Sequence, residues 1–446
     1  MSTVRHFVSN YQTRLVEQHV LHSRCGPCLI AFRMNQNKEI SPARSWLVVA
    51  LLWITFLLNY IDRQAVFSLY PSLQKDLGFT SAQLGLIGSV FLWVYSLSSV
   101  LTGRLADRFS KRALVVGCLI IWSLATIGTC LSGSVYVFLY FRGLMGVSES
   151  MYLPASVALI ATLYRGPARS TALALHQTAQ MIGIILGGWG GAWMAERFGW
   201  RNAFAILAIA GLAYAPLLWI GVGKPPAMGR ETAERLLWSR IFASRCYLGL
   251  VIAFTAYCLV LWILYAWFAV HLYERFHLSQ AQSGLAATLY LQISTAVGVV
   301  FWGLAADRLI KFTKSARFLV VGVGIIASVP FAWLALSLGS LVGVKAASVG
   351  FGLFAGGLHS NIAAASLDVV PSRNYGVAVG MLNLVGGLGG GLAILLTGIY
   401  RGSLGIGTLM GYCCVAAVLA SCGMLLLVRS YLPREFRNEP VPVGRF

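Results

Sequence analysis

The chain has 446 residues and a formal net charge of +20, yet only 11% of its residues are charged, 58% are hydrophobic and the mean hydropathy is +0.75. A soluble domain carries ~25% charged residues, so the length does not divide into soluble domains. The apolar residues fall in runs of roughly 18–28, the length of a membrane-crossing helix, and predict one all-α polytopic membrane protein.

Residues 1–45 are polar and basic, hold no apolar segment of a secretory signal, and are expected to form a disordered cytoplasmic tail, with Met34 as an alternative initiator. Cys25-Gly26-Pro27-Cys28 has the spacing of a redox motif but lacks the βαβ context that would support one. From Trp46 the pattern predicts twelve spans, at 46–69, 84–102, 113–131, 135–163, 171–193, 202–222, 246–270, 283–305, 316–338, 342–366, 375–399 and 405–428. Six helices over 46–222 and six over 246–428 would be joined by a cytoplasmic linker at 223–245, which contains Pro225-Pro226, and 429–446 would be a cytoplasmic tail.

An internal repeat supports the two halves. Ala82-Gln83-Leu84-Gly85-Leu86 is echoed by Ala281-Gln282-Ser283-Gly284-Leu285, and Gly103-Arg104-Leu105-Ala106-Asp107-Arg108 by Gly303-Leu304-Ala305-Ala306-Asp307-Arg308, at offsets of 199 and 200 residues. Parallel six-helix repeats with a binding site between them are a transporter architecture. Lys and Arg divide 26 to 6 between the two sides, or 16 to 6 without the tails, which places both termini on the cytoplasmic side. Basic residues at that surface attract anionic lipid, so the high charge calls for membrane lipid and not for nucleic acid.

Four full charges fall deep inside predicted spans: Asp62 and Arg63 in Asn59-Tyr60-Ile61-Asp62-Arg63, and Arg142 and Glu149 in the fourth span. A charge in hydrocarbon costs ~2.5–3.5 kcal/mol on insertion scales, and such residues mark substrate or ion pathways. Arg142 and Glu149 are two helical turns apart and share a face. Asp62 and Arg63 point about 100° apart, so one can face the fourth span and the other the central cavity. Pairwise neutralisation of the four would lower their cost. A buried ion network that only sets helix register is the structural alternative.

The stretch Gly103 to Arg112 resembles the loop 2–3 signature of the major facilitator superfamily, with Ser110 at its usual eighth-position glycine. The resemblance spans 46–430 and implies the major facilitator fold. Asn59 to Arg63, the Arg-x-x-x-Gly-x-x-Glu pattern from Arg142 to Glu149, and Asn383 in a glycine-rich eleventh span resemble the anion:cation symporter family within it. That resemblance implies a monomeric, proton-driven symporter in the bacterial inner membrane, needing no cofactor and importing a small organic anion such as a sugar acid. In it Arg63 would bind the substrate carboxylate, Asp62 and Glu149 would carry protons, and Arg142 would hold or release Asp62.

Tyr60, Tyr95, Gln180, Asn383, Ser360 and Asn361 are further candidate substrate contacts, while Gly103, Asp107, Arg108, Arg112, Asp307 and Arg308 would serve an inner gate. His359 and His176 read as helix-interface residues, with a second proton site as the alternative for His359, and Tyr257, Trp262, Tyr265 and Trp267 as a cavity wall, a gate or packing. Gly380, Gly386, Gly387, Gly389, Gly390 and Gly391 suit close helix packing.

Proton-coupled drug antiport on the same fold is the first alternative; the fifth span lacks the Gly-Pro pair usual in antiporters. A non-transporting membrane sensor is the second. No phosphate-binding loop, nucleophile elbow or metal-spaced His/Cys set supports an enzyme.

Overall fold

A computed structural model describes residues 41–164, 167–223, 244–370 and 374–435; the side chains of 101–108, 167, 434 and 435 lie outside the described residues. The Cys25/Cys28 pair, most of the 223–245 linker and the end of the C-terminal tail fall outside them. The described residues are helical throughout. In chain order the helices are α1 Pro42–Ser68, α2 Tyr70–Leu77, α3 Ser81–Arg108, α4 Lys111–Cys130, α5 Val135–Leu163, α6 Pro167–Leu186, a π-helical turn Gly187–Gly191, α7 Ala192–Phe198 and α8 Trp200–Val222. After the linker come α9 Arg245–Phe276, α10 Gln280–Leu309, α11 Ala316–Ser337, α12 Leu341–Leu367, α13 Tyr375–Leu404 and α14 Ile406–Glu435.

Eleven of these are long and apolar enough to cross a membrane. The expected fifth span falls short on those terms because α6 carries His176, Gln177 and Gln180 and then breaks into the π turn. The break has a packing cause. A Cβ on Gly187 would lie 2.6 Å from the Ile61 carbonyl, and one on Gly191 2.7 Å from Ala65, so the backbone here lies directly against α1.

The repeated Ala-Gln-x-Gly-Leu segments are helix starts. At α3, the Thr80 and Gln83 side chains reciprocally cap each other's backbone N–H groups at 3.2 and 2.9 Å. At α10, Ser279 and Gln282 do the same at 3.2 Å each. Each capping box satisfies donors that a helix otherwise leaves open.

The apolar side chains gather into two main cores. One runs over 48–222, adding Ala266, Trp267, Val270 and Ile394; the other draws on 246–432. Between them α3 packs on α13, and α6 and the π turn pack on α10. These two seams enclose the site.

Candidate functional site

α1 carries a polar run through an apolar helix and buries all of it: Asn59, Asp62, Arg63 and Gln64 are nearly inaccessible. α5 presents Arg142 and Glu149 from one buried face, two turns apart. Arg63 Nε and Nη2 donate to Glu149 Oε2 at 3.3 and 2.9 Å. Nη2 also reaches Asn59 Oδ1 at 3.5 Å. The Tyr60 and Tyr95 rings each lie 4.6 Å from Arg63 Cζ, with Phe91 at 5.0 Å. A desolvated cation gains ~2 kcal/mol on such a face. The guanidinium is thus held by an acid, an amide and three rings, while its Nη1 makes no hydrogen bond among the described residues.

The expected pairwise neutralisation of four charges is corrected: one pair forms. Asp62 has no Lys or Arg nitrogen within 4 Å among the described residues, and its Oδ1 has no hydrogen-bond partner there. Arg142 stacks on Phe91 at 4.4 Å and meets Met145 Sδ at 3.6 Å, but its Nε and Nη2 have no partner among the described residues. The reason is helical. Arg63 takes the face toward Glu149 and the cavity, and the adjacent Asp62, rotated by about 100°, does not line the cavity. Arg142 has no Asp62 pair to hold or release in this conformation.

A central cavity of about 390 Å³ lies between the two cores. Tyr60, Arg63, Tyr95, Gln180 and Asn383 line it. Ser360 and Asn361 do not. Ser360 Oγ donates to the Gly356 carbonyl at 2.8 Å, and Asn361 Nδ2 donates to Ser360 Oγ at 2.8 Å. On α12 the cavity face belongs instead to His359, Ile362 and Ala363, spaced i, i+3 and i+4.

Sequence alone does not single out Gln64 and Gln177, which also line the cavity, or Gln292, which bonds one of its wall residues. Gln64, next to the charged pair, donates to the Tyr265 carbonyl at 3.1 Å and so ties α1 to α9. Gln292 Nε2 donates to Tyr265 Oη at 3.1 Å. Gln177 lies one turn before Gln180 on the same wall. The polar, helically spaced Gln177 and Gln180 pair was the available signal. The aromatics of α9 divide: Trp262 and Tyr265 form wall, Tyr257 stacks on Phe351 in the core, and Trp267 donates to the Ile394 carbonyl at 3.1 Å. His176 is a helix-interface residue, 3.2 Å from Tyr152 Oη and stacked on Phe56.

One end of the cavity is shut by bonds between the cores. Ser89 donates to the Gly391 carbonyl at 2.6 Å and Trp93 to the Leu388 carbonyl at 3.0 Å. Beyond them Ser72 donates to Gln280 at 2.9 Å, and the Ala281 N–H to Glu196 at 3.0 Å. Gly188 and Gly284 meet so closely that a Cβ on Gly284 would stand 1.9 Å from the Gly188 carbonyl. At the other end the wall continues to Leu153, Ala363 and Val379.

At that second end the expected gate residues separate. The side chains of Gly103, Asp107 and Arg108 lie outside the described residues. Arg112 stacks on Trp219 at 3.7 Å. Asp307 and Arg308 are exposed at the end of α10 and in no ion pair among the described residues. Among the described residues the ion pair there is Arg317 with Asp368, joining α11 to the end of α12. Burial raises the Asp368 carboxyl above its ordinary range, with the Arg317 guanidinium opposing that shift.

Membrane-length helices around a cavity shut at one end, with a lining of mixed polar and apolar side chains, are the build of a multi-pass membrane transporter. The Major Facilitator Superfamily model matches residues 52–394 and 269–442, and the chain belongs to that superfamily. It is 25% identical to a probable galactarate/D-glucarate transporter of Bacillus subtilis (strain 168), over 89% of this chain and 95% of that one. It is 22% identical to a D-galactonate transporter of Escherichia coli O6:H1, over 86% and 96%. A crystal structure of a bacterial homolog to the human lysosomal transporter Spinster has a TM-score of 0.77 at 20% identity, covering 88% of this chain and 98% of that one. It shares the fold.

Proposed function

We propose that the protein imports a small organic anion, a sugar acid or a related carboxylate, together with protons, across a bacterial inner membrane. It does so as a monomer of two six-helix halves, 46–222 and 246–428, with both termini cytoplasmic, by alternating which end of the cavity is shut. The carrying observation is the shared guanidinium of Arg63: Glu149 holds Nε and Nη2, while the same residue lines the cavity with Nη1 unengaged. A carboxylate entering the cavity would meet Nη1 and compete with Glu149 for the planar fork, which suits bidentate contact. Glu149, stripped of its cation in a buried site, would be a costly bare charge that a proton neutralises. Substrate and proton would then load together.

Tyr60, Tyr95, Gln177, Gln180 and Asn383 supply hydroxyls and amides for a polyhydroxylated chain. The relatives named for galactarate, D-glucarate and D-galactonate support that class. Asp62 and Arg142, both buried and unpaired among the described residues, would pair in another conformation. In the present one, the shut end would be the periplasmic one, because the Lys- and Arg-rich segments lie at the other.

The test is uptake of galactarate, D-glucarate and D-galactonate into proteoliposomes, with and without an inward proton gradient. Gradient-stimulated uptake of one acid, lost on Glu149→Gln, is expected. Gradient-driven extrusion of a cationic dye, with no acid taken up, would overturn the reading in favour of antiport.

A further inference from the structure

A second, larger hollow of about 910 Å³ lies away from the central cavity, between the start of α11 and the second half of α14. Its wall has two parts. Along its length it is apolar, with Leu319 from α11 and Cys422, Leu425 and Leu426 from α14. At its mouth it is polar and cationic, with Lys314, Ser315 and Arg429. Among the described residues no Asp or Glu lines it. Lys314 and Arg429 are exposed at the rim.

A third positive element points the same way. The 22-residue helix α11 begins at Ala316, and Ser315 at its N-cap makes no capping hydrogen bond to the first turn. The first turn of a helix carries unpaired N–H groups and a partial positive charge that favour an anion. Two cations and a helix start therefore converge at one mouth.

From Arg429 back to Cys422 is seven residues, or about 10 Å of helix, a third of a ~30 Å hydrocarbon core. Leu319, Val323, Leu419 and Leu426 around the trough are all exposed and apolar, the side chains of a lipid-facing surface. A ligand that fits must be anionic at one end and apolar for about 10 Å behind it. A free anion has no use for the trough, and a neutral lipid none for the mouth.

We propose that this groove holds one anionic phospholipid, its phosphate at Lys314, Arg429 and the start of α11, and one acyl chain along Leu319, Leu425 and Leu426. The site is independent of the transport reading, since it shares no residue with the central cavity.

The test uses the full chain, purified in a neutral detergent and stripped of lipid. Dioleoyl phosphatidylglycerol, dioleoyl phosphatidylcholine and inorganic phosphate are added separately, and native mass spectrometry and thermal unfolding are followed. One retained phosphatidylglycerol with a raised melting temperature is expected, with little retention of phosphatidylcholine and no effect of phosphate. Lys314→Gln with Arg429→Gln should weaken phosphatidylglycerol retention about tenfold or more. Cys422→Trp, at an exposed position, should plug the trough and displace the same lipid. Helicity and monodispersity check that each variant folds, and the single charge variants replace the double if it does not. Equal retention of the two lipids, full phosphatidylglycerol retention by the charge variants, or a phosphate effect matching that of the lipid would overturn the proposal.

Discussion

The two halves share a scaffold and differ in chemistry. Gln83 and Gln282 complete matching capping boxes, and the glycine two residues later in each segment meets the opposite half. Applied to the charged stretch, the same offset of 199 residues sets Arg63 against Trp262 and Asp62 against Leu261. Arg63 and Trp262 both line the cavity. One half brings a guanidinium, the acid that holds it, two tyrosines and three glutamines; the other brings rings, one asparagine and a histidine, with no charged side chain. The difference teaches that a duplicated helix start retains its capping because every helix needs it, while the cavity wall is free to diverge. Charges confined to one half also need bury only one ion network, which limits its desolvation cost.

The sharpest break of this asymmetry is Arg63→Lys. An ammonium cannot span Glu149 and a substrate carboxylate as a planar fork does. Uptake in proteoliposomes is expected to fall by about 100-fold or more, consistent with several kcal/mol of lost charge-assisted contact, while thermal stability changes little. Normal uptake would remove the bidentate role. Trp262→Phe, its counterpart, should alter affinity far less in the same assay.

Glu149→Gln comes next. It keeps a hydrogen-bonding partner for Arg63 but removes the charge. Substrate exchange across the membrane should persist, while stimulation by a proton gradient disappears. Stimulation equal to wild type would move the proton site away from Glu149.

The two seam glycines test whether the halves close alike. A Cβ would sit 1.9 Å from backbone at Gly284 but 3.0 Å from backbone at Gly85. Overpacking costs about 1–3 kcal/mol, so Gly284→Val should lower the melting temperature and open the shut end to thiol labelling. Gly85→Val should do so less. Equal effects would mean that the two seams relax independently of this geometry.

The smallest expected effect tests sameness. Gln83→Ala and Gln282→Ala each remove the reciprocal half of a capping box, at about 0.5–1 kcal/mol. Thermal unfolding should register two similar, small losses.

Much of the fold was legible in sequence because span length and hydropathy are local and additive. The fifth span shows the limit: Gly187 to Gly191 form a π turn only because α1 lies against them. In the site, Arg63, Tyr60, Tyr95, Gln180 and Asn383 were legible because polar residues in apolar helices must face a cavity or a partner. Ser360 and Asn361 were misplaced, since a polar residue can equally turn back onto its own helix backbone. Gln64 and Gln292 were passed over because neither carries a charge, and their partner on α9 is more than 25 residues away in each case.

By itself the sequence determined a polytopic helical membrane protein, its repeated helix-start segments and the helix that carries its buried charges. Hydropathy and repetition are properties of single segments, and no packing alters them. Only the tertiary structure decided that Glu149 and not Asp62 holds a partner, which face of α12 meets the cavity, and where the molecule is shut. Those outcomes depend on helix rotation, where one residue is about 100°, and on glycine contacts between segments far apart in the chain.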